Sequence, residues 1–270
     1  MPARAHSRRC RHRCGAPARL DPPLIRSPSR GVLLMVGATL AFTAMVGFVR
    51  VARADLSAME VMAWRSVVAV PLAWACARRG GLRLVARRVF ALRAALGFSA
   101  MFCFYTAAKG LSLADMTLIT RTQPILLAIG APLLLGAGER VAGRTWLLLL
   151  FGIVGTAILI APDLAVGNSW GLWASLAAVF SAGAHLAVRK LGATDEPAAI
   201  VFWFQVVVVV LAFTILLLSG GVTVPAPRLW PWILGAGISA TVGQIWMTSA
   251  YQGEKAAVVG AASYTGPVWG

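Results

Sequence analysis

The sequence predicts an all-α integral membrane protein. Its spanning helices form two inverted five-helix repeats, the second cut short, with about nine spans begun. Composition is the first observation behind this reading: the 270 residues are 59% hydrophobic and 13% charged, with a mean hydropathy of +0.78. A soluble domain carries about 25% charged residues, so a soluble enzyme and a disordered regulator are both excluded. A chain that solvates its outer face with lipid needs little polar surface. The second observation is the placing of the 25 Lys and Arg residues, alternately dense and sparse between apolar runs. The third is a self-similarity at a separation of 140–143 residues.

The chain opens with a basic tail, 1–30, that holds eight Arg. It has no apolar h-region and so is not a secretory signal; it is expected to be a disordered cytoplasmic tail or sequence upstream of the true start. Cys10 and Cys14 flank His12 there, but no second ligand pair exists and the surrounding arginines repel a cation, so no metal site is expected. Uncharged runs follow at Gly31–Val49, Thr145–Pro162, Leu164–Val188, Pro197–Pro227 and Leu229–Gly253. Each is near or above the ~20 apolar residues that a spanning helix needs, the longer ones trimmed by Gly220-Gly221, Pro225 and Pro227. Met59–Ala77, Ala94–Ala108 and Met116–Leu135 qualify despite a charge inside or at the edge. A ninth span begins at Ala256 and runs to Gly270 without a polar flank, so the chain is expected to be part of a longer carrier.

Summed over alternate gaps, 19 basic residues stand against four, with Arg65 and Arg121 inside spans. That asymmetry predicts a cytoplasmic N-terminus in a cell (inner) membrane and an external Pro162–Ser169 loop. The basic charge therefore marks membrane orientation rather than nucleic-acid binding.

At a separation of 143, Ala107 meets Ala250, Gly110 meets Gly253, Ala114 meets Ala257 and Pro124 meets Pro267. At 140, Asp55 meets Asp195, Trp64 meets Phe204 and Arg65 meets Gln205. The shift spans five helices, an odd number, so the second copy enters the membrane from the opposite side. The expected units are 31–162 and 163–270, the latter incomplete.

The stretch Tyr105–Glu139, with its small-residue loop, Gln123-Pro124 helix and closing Leu135-Gly-Ala-Gly-Glu-Arg140, and its partial echo at Ser249–Gly270 resemble the drug/metabolite transporter superfamily, EamA type. The resemblance covers about 31–270. It implies ten helices in two five-helix repeats, export or uptake of a small metabolite, and a homodimer contact through a tenth helix that has no counterpart within these residues.

Among residues that could carry chemistry, Arg121 stands out. It lies in Thr120-Arg-Thr-Gln-Pro124 inside the fourth span, where a cation costs a few kcal/mol. Thr117, Arg121 and Pro124 share a helical face, Gln123 is adjacent, and Pro124 cannot donate to the carbonyl of Thr120. Guanidinium plus freed backbone fits an anionic or carboxylate-bearing solute; the competing role is a structural Arg bonded to carbonyls. Trp64 and Arg65 in span 2 and Gln205 in span 7 are expected to line a pathway or to glue helices together. Gln244 and Tyr264 add further lining, and His185 reads as a satisfied histidine near a span end.

No Walker loop, zinc spacing or nucleophile–base–acid set is present, so neither enzyme activity nor a cofactor is expected. No carboxylate is central in a span, which leaves exchange or uniport at least as open as proton coupling. The reading is a secondary carrier working by alternating access. The alternatives are a membrane scaffold or small-molecule channel and, further off, a lipid enzyme.

Overall fold

Inside a bilayer only a helix satisfies its own backbone within one segment, and every regular element among the described residues is helical. The computed structural model describes residues 29–269 except 79, 108–109, 112 and 161–168. The tail with Cys10, His12 and Cys14, and most of the Pro162–Ser169 loop, lie outside the described residues. The helices are α1 Arg30–Ala52, α2 Ala58–Ala77, α3 Arg87–Ala107, α4 Leu113–Thr120, α5 Gln123–Leu135, α6 Gly143–Ile160, α7 Ser169–Leu191, α8 Pro197–Leu218, α9 Trp230–Gly253, α10 Ala256–Ala262 and α11 Gly266–Trp269. Five segments are long and apolar enough to cross a membrane: Arg30–Ala52, Ala58–Ala77, Leu118–Leu135, Ser169–Leu191 and Pro197–Leu218. The helices α3 and α9, at 21 and 24 residues, match them in length.

Local chemistry explains the starts and stops. Ser29 Oγ accepts from the Val32 N–H at the head of α1, and Ser57 with Glu60 forms a reciprocal capping box on α2. Pro197 takes the first turn of α8, where a missing N–H costs nothing. That helix ends at Gly220 and Gly221, whose φ angles of 120° and 119° favour glycine.

Two elements differ from the sequence reading. The third span starts at Arg87 rather than near Ala94, because Phe90 and Ala94 pack with Ile200 and Phe204 of α8 and carry the helix back into the charged run. Arg93 therefore lies inside a helix instead of in a loop. The fourth span is not continuous. Arg121 and Thr122 donate to the carbonyls three residues back, Leu118 and Ile119, at 3.1 Å each, and Pro124 has no N–H with which to extend the ladder. The span thus breaks into α4 and α5, with Arg121 at the break.

The most extensive helix pairs are α1 with α9, α3 with α7, and α2 with α8. Small residues let the first two approach closely: the rings of Phe42 and Phe48 lie over Gly243 and Gly235, and Leu96 lies over Gly183. A shift of 140–143 residues carries α1 onto α7 and α3 onto α9. It therefore exchanges the first two interfaces and returns the third to itself. On the outside of the bundle, α6 exposes Leu147, Leu150, Phe151 and Ile158, an apolar face suited to lipid.

Two clasps close the opposite ends of the α2–α8 pair. At one end Trp64 Nε1 donates to Thr223 O at 3.0 Å, and Glu60 accepts from the Thr223 N–H at 3.0 Å. At the other, Trp203 Nε1 donates to Leu82 O at 2.8 Å, while Asp195 accepts from the Val85 and Ala86 N–H groups at 2.6 and 3.3 Å. Each clasp uses an indole on one helix and a carboxylate in or just before its first turn to hold the loop that follows the other. By this geometry the counterpart of Trp64 is Trp203, one residue from the Phe204 that the sequence alignment pairs with it.

Candidate functional site

A second break faces the first. α10 ends at Ala262, Ser263–Thr265 form a single tight turn, and α11 resumes at Gly266. Arg121 Nη1 donates to Ser263 O at 2.9 Å, and the Tyr264 hydroxyl donates to Arg121 O at 2.8 Å. Arg121 and Tyr264 are 143 residues apart, the separation read in the sequence. Each break thus supplies a donor to a carbonyl of the other, groups that lipid would leave unpaired. The acceptor seen bound here is the carbonyl of Arg121, one residue beyond that of Thr120. The second break is also tied to α1: Thr265 Oγ1 lies 3.1 Å from Thr39 Oγ1, which accepts from Trp269 Nε1 at 3.3 Å.

Beyond Arg121, Gln123 Nε2 stands 2.6 Å from His185 Nδ1, and the imidazole stacks on Tyr251 with ring centroids 4.7 Å apart. His185 is bonded and stacked, in line with the sequence reading. Farther along, Glu139 accepts from Arg189 Nε and Nη2, both at 2.9 Å, and from the Ala256 N–H at 3.1 Å. Arg189 Nη1 donates in turn to Gln252 O at 2.5 Å, next to the end of α9. This latch joins the α5–α6 turn to α7, α9 and α10. A cleft of about 500 Å³ opens beside it, bordered by Leu135, Gly138, Lys190 and Lys255.

Of the residues singled out in the sequence, Arg121, Gln123 and Tyr264 come together at the breaks. Arg65 and Gln205 are buried on the paired helices α2 and α8, and Gln244 lies on α9. Arg65 Nε, Gln205 Oε1 and Gln244 Oε1 are buried without a hydrogen-bond partner. Among the described residues, none of these three is hydrogen-bonded to Arg121. Trp64 is engaged in its clasp. Thr117 lies on α4, and its side chain is outside the described residues.

One residue escaped the sequence reading. Arg93 is 4% exposed, its guanidinium carbon sits 4.1 Å from the centroid of the Phe204 ring, and its Nε has no partner. Its placement in a run of loop arginines hid it; the one available signal was Gly97, a turn later, which leaves room for the guanidinium. The ion pairs among the described residues are Glu139–Arg189 and Asp55–Arg228. Arg65, Arg93 and Arg121 thus lie inside the helical bundle with no carboxylate paired to them.

The comparisons agree with this architecture. The model of the EamA-like transporter family matches residues 29–161. The pseudopaline exporter CntI of Pseudomonas aeruginosa is 31% identical over 243 residues, covering 88% of this chain and 84% of that protein. Human solute carrier family 35 member G1 is 28% identical over 255 residues, covering 87% of this chain and 69% of that one. A solved crystal structure shares the fold with a TM-score of 0.76 at 20% identity, over 90% of this chain and 86% of the other. With its apolar spans, broken helices and buried polar groups, this chain belongs to the EamA-like transporter family and is a multi-pass membrane transporter of small metabolites.

Proposed function

We propose that the protein is a secondary carrier of a small anionic, carboxylate-bearing metabolite, and that it works by alternating access between two inverted repeats. The observation that carries the anionic substrate is Arg121: a guanidinium at a helix break inside the bundle, bonded to the single carbonyl of Ser263 and paired with no carboxylate. A buried cation left unpaired is costly, and a substrate carboxylate supplies the missing partner through the planar fork. The unpartnered amide oxygens of Gln205 and Gln244 offer acceptors for N–H or O–H groups on the same molecule. Support for two equivalent states comes from the exchange of α1–α9 with α7–α3 and from clasps at opposite ends of α2–α8. In an inverted pair, whatever opens one face has a counterpart that opens the other.

The deciding measurement is counterflow in proteoliposomes. Vesicles preloaded with one unlabelled metabolite from a carboxylate panel should accumulate its radiolabelled form above equilibrium, and cationic or neutral analogues should not compete. Uptake that never overshoots would point to a channel, and no saturable flux at all would favour a scaffold.

The orientation belongs to the same proposal: the N-terminus is cytoplasmic in the inner membrane, and the α8–α9 loop is outside. In a cysteine-free background, a cysteine at Val224, 71% exposed in that loop, should react with an impermeant maleimide on intact cells. One at Lys255 should react only after permeabilisation. The reverse pattern would invert the topology. Asn168, outside the described residues, is expected on the same side as Val224.

A further inference from the structure

Arg93 begins a second charged contact that the transport reading does not use. It lies six residues into α3, about 9 Å along the axis at 1.5 Å per residue, close enough to the helix start for its side chain to snorkel back to the interface. It does the opposite. The guanidinium turns toward the following turn and occupies the space over Gly97, where a Cβ would collide with Nη1. There it lies on the Phe204 ring of α8, 4.1 Å from the centroid. The face of an aromatic ring offsets only part of the desolvation of a cation.

Arg189 shows what a structural arginine looks like in this protein: it meets the Glu139 carboxylate through two nitrogens and also reaches backbone carbonyls. Arg93 has its ring contact, an unpartnered Nε, and no ion pair. Leu96, three residues on from Arg93, lies over Gly183 of α7, two residues from His185. His185 in turn contacts Gln123, two residues from Arg121. The two guanidinium groups therefore stand at the ends of one polar run through the helices: Arg93, His185, Gln123, Arg121.

Resting on the anionic reading above, we infer that Arg93 is a second anchor for the transported molecule, which carries at least two anionic groups, one held at Arg121 and the other at Arg93. One carboxylate cannot serve both ends of the run, whereas a molecule with an acidic group at each end pairs both cations at once. Arg93 accordingly sets the choice of multiply charged over singly charged substrates. Carboxylate and phosphate both fit a guanidinium fork.

The test uses the full purified chain and binding measured by calorimetry. The probes are the linear dicarboxylates from malonate to pimelate, their monomethyl esters, and 3-phosphonopropionate. The wild type should bind the dicarboxylate of best length at least ~10-fold more tightly than its monoester, as expected for a charge-assisted contact. The phosphonate, set against succinate of the same chain length, shows which acid the Arg93 end prefers. Arg93→Gln should bring the diacid-to-monoester ratio close to one, and Arg93→Lys should keep part of the preference. If Arg93→Gln does not fold, Gly97→Ala, which displaces the guanidinium without removing it, should lower the same ratio. A ratio unchanged in these variants, with monoester binding still lost in Arg121→Gln, would overturn the second anchor and leave the anionic reading standing. A wild type indifferent to diacid and monoester alike would overturn the anionic reading itself.

Discussion

Arg121→Gln should weaken substrate binding by ~10-fold or more, the loss of charge-assisted hydrogen bonds worth roughly 1.5–3 kcal/mol, while the protein still inserts. Gln is cheaper than Arg in the hydrocarbon region, and the carbonyl of residue 121 keeps its bond from Tyr264, because that acceptor belongs to the backbone. Arg121→Lys retains a charge that can reach Ser263 O but loses the planar fork, so its affinity should fall between the two. Tyr264→Phe is the control. It leaves the guanidinium in place and strips the donor from the carbonyl of Arg121, so it should lower the melting temperature more than the affinity. Affinity and detergent melting temperature measured on the same preparations separate the outcomes. A lower melting temperature with unchanged affinity in Arg121→Gln would make Arg121 a structural brace between the two breaks.

The second large effect is expected at the latch. Glu139 accepts from two nitrogens of Arg189 and from the first N–H of α10, and its side chain is 10% exposed against 24% for Arg189. Glu139→Gln removes the charge, leaving a partly buried guanidinium facing carbonyls alone. Breaking one side of a buried pair costs about 3–5 kcal/mol, and the partial exposure of Arg189 places this case near the lower end. A marked fall in melting temperature should follow. Arg189→Met added to Glu139→Gln should recover part of it, since the stranded cation is gone; strict additivity in that double-mutant cycle would show the two residues to be uncoupled.

What the sequence revealed follows from what the bilayer imposes. A spanning helix must be about 20 apolar residues long, so α1, α7 and α8 are visible as uncharged runs, and the glycine pair at 220–221 marks the end of α8 before any coordinate is known. The break at Arg121 was half visible: Pro124 announced a lost N–H, but an isolated segment cannot show that Tyr264, 143 residues on, supplies the donor. Arg93 was hidden by the same rule that exposed the spans, since a run counted as apolar stops at its first charge. Only packing against α8 pulls that residue into the bundle. Trp64 was picked out as an aromatic inside a span, yet its partner is a loop carbonyl 159 residues away, and no periodicity encodes that.

The two clasps have a consequence for how the gene can change. Every loop atom they grip at Thr223, Leu82, Val85 and Ala86 is a backbone N–H or carbonyl. The side chain at Val85, 62% exposed, is therefore nearly free to drift provided its N–H remains, whereas Ala86 also packs on the α2–α8 core and the Thr223 side chain also faces Glu60; proline is excluded from 85, 86 and 223. The number of residues between helix and clasp has no such freedom. A one-residue insertion or deletion in either loop moves the held peptide group by about 3.8 Å, beyond the reach of indole and carboxylate alike. Diversification in these loops should thus proceed by substitution, with length held constant on both sides of the membrane.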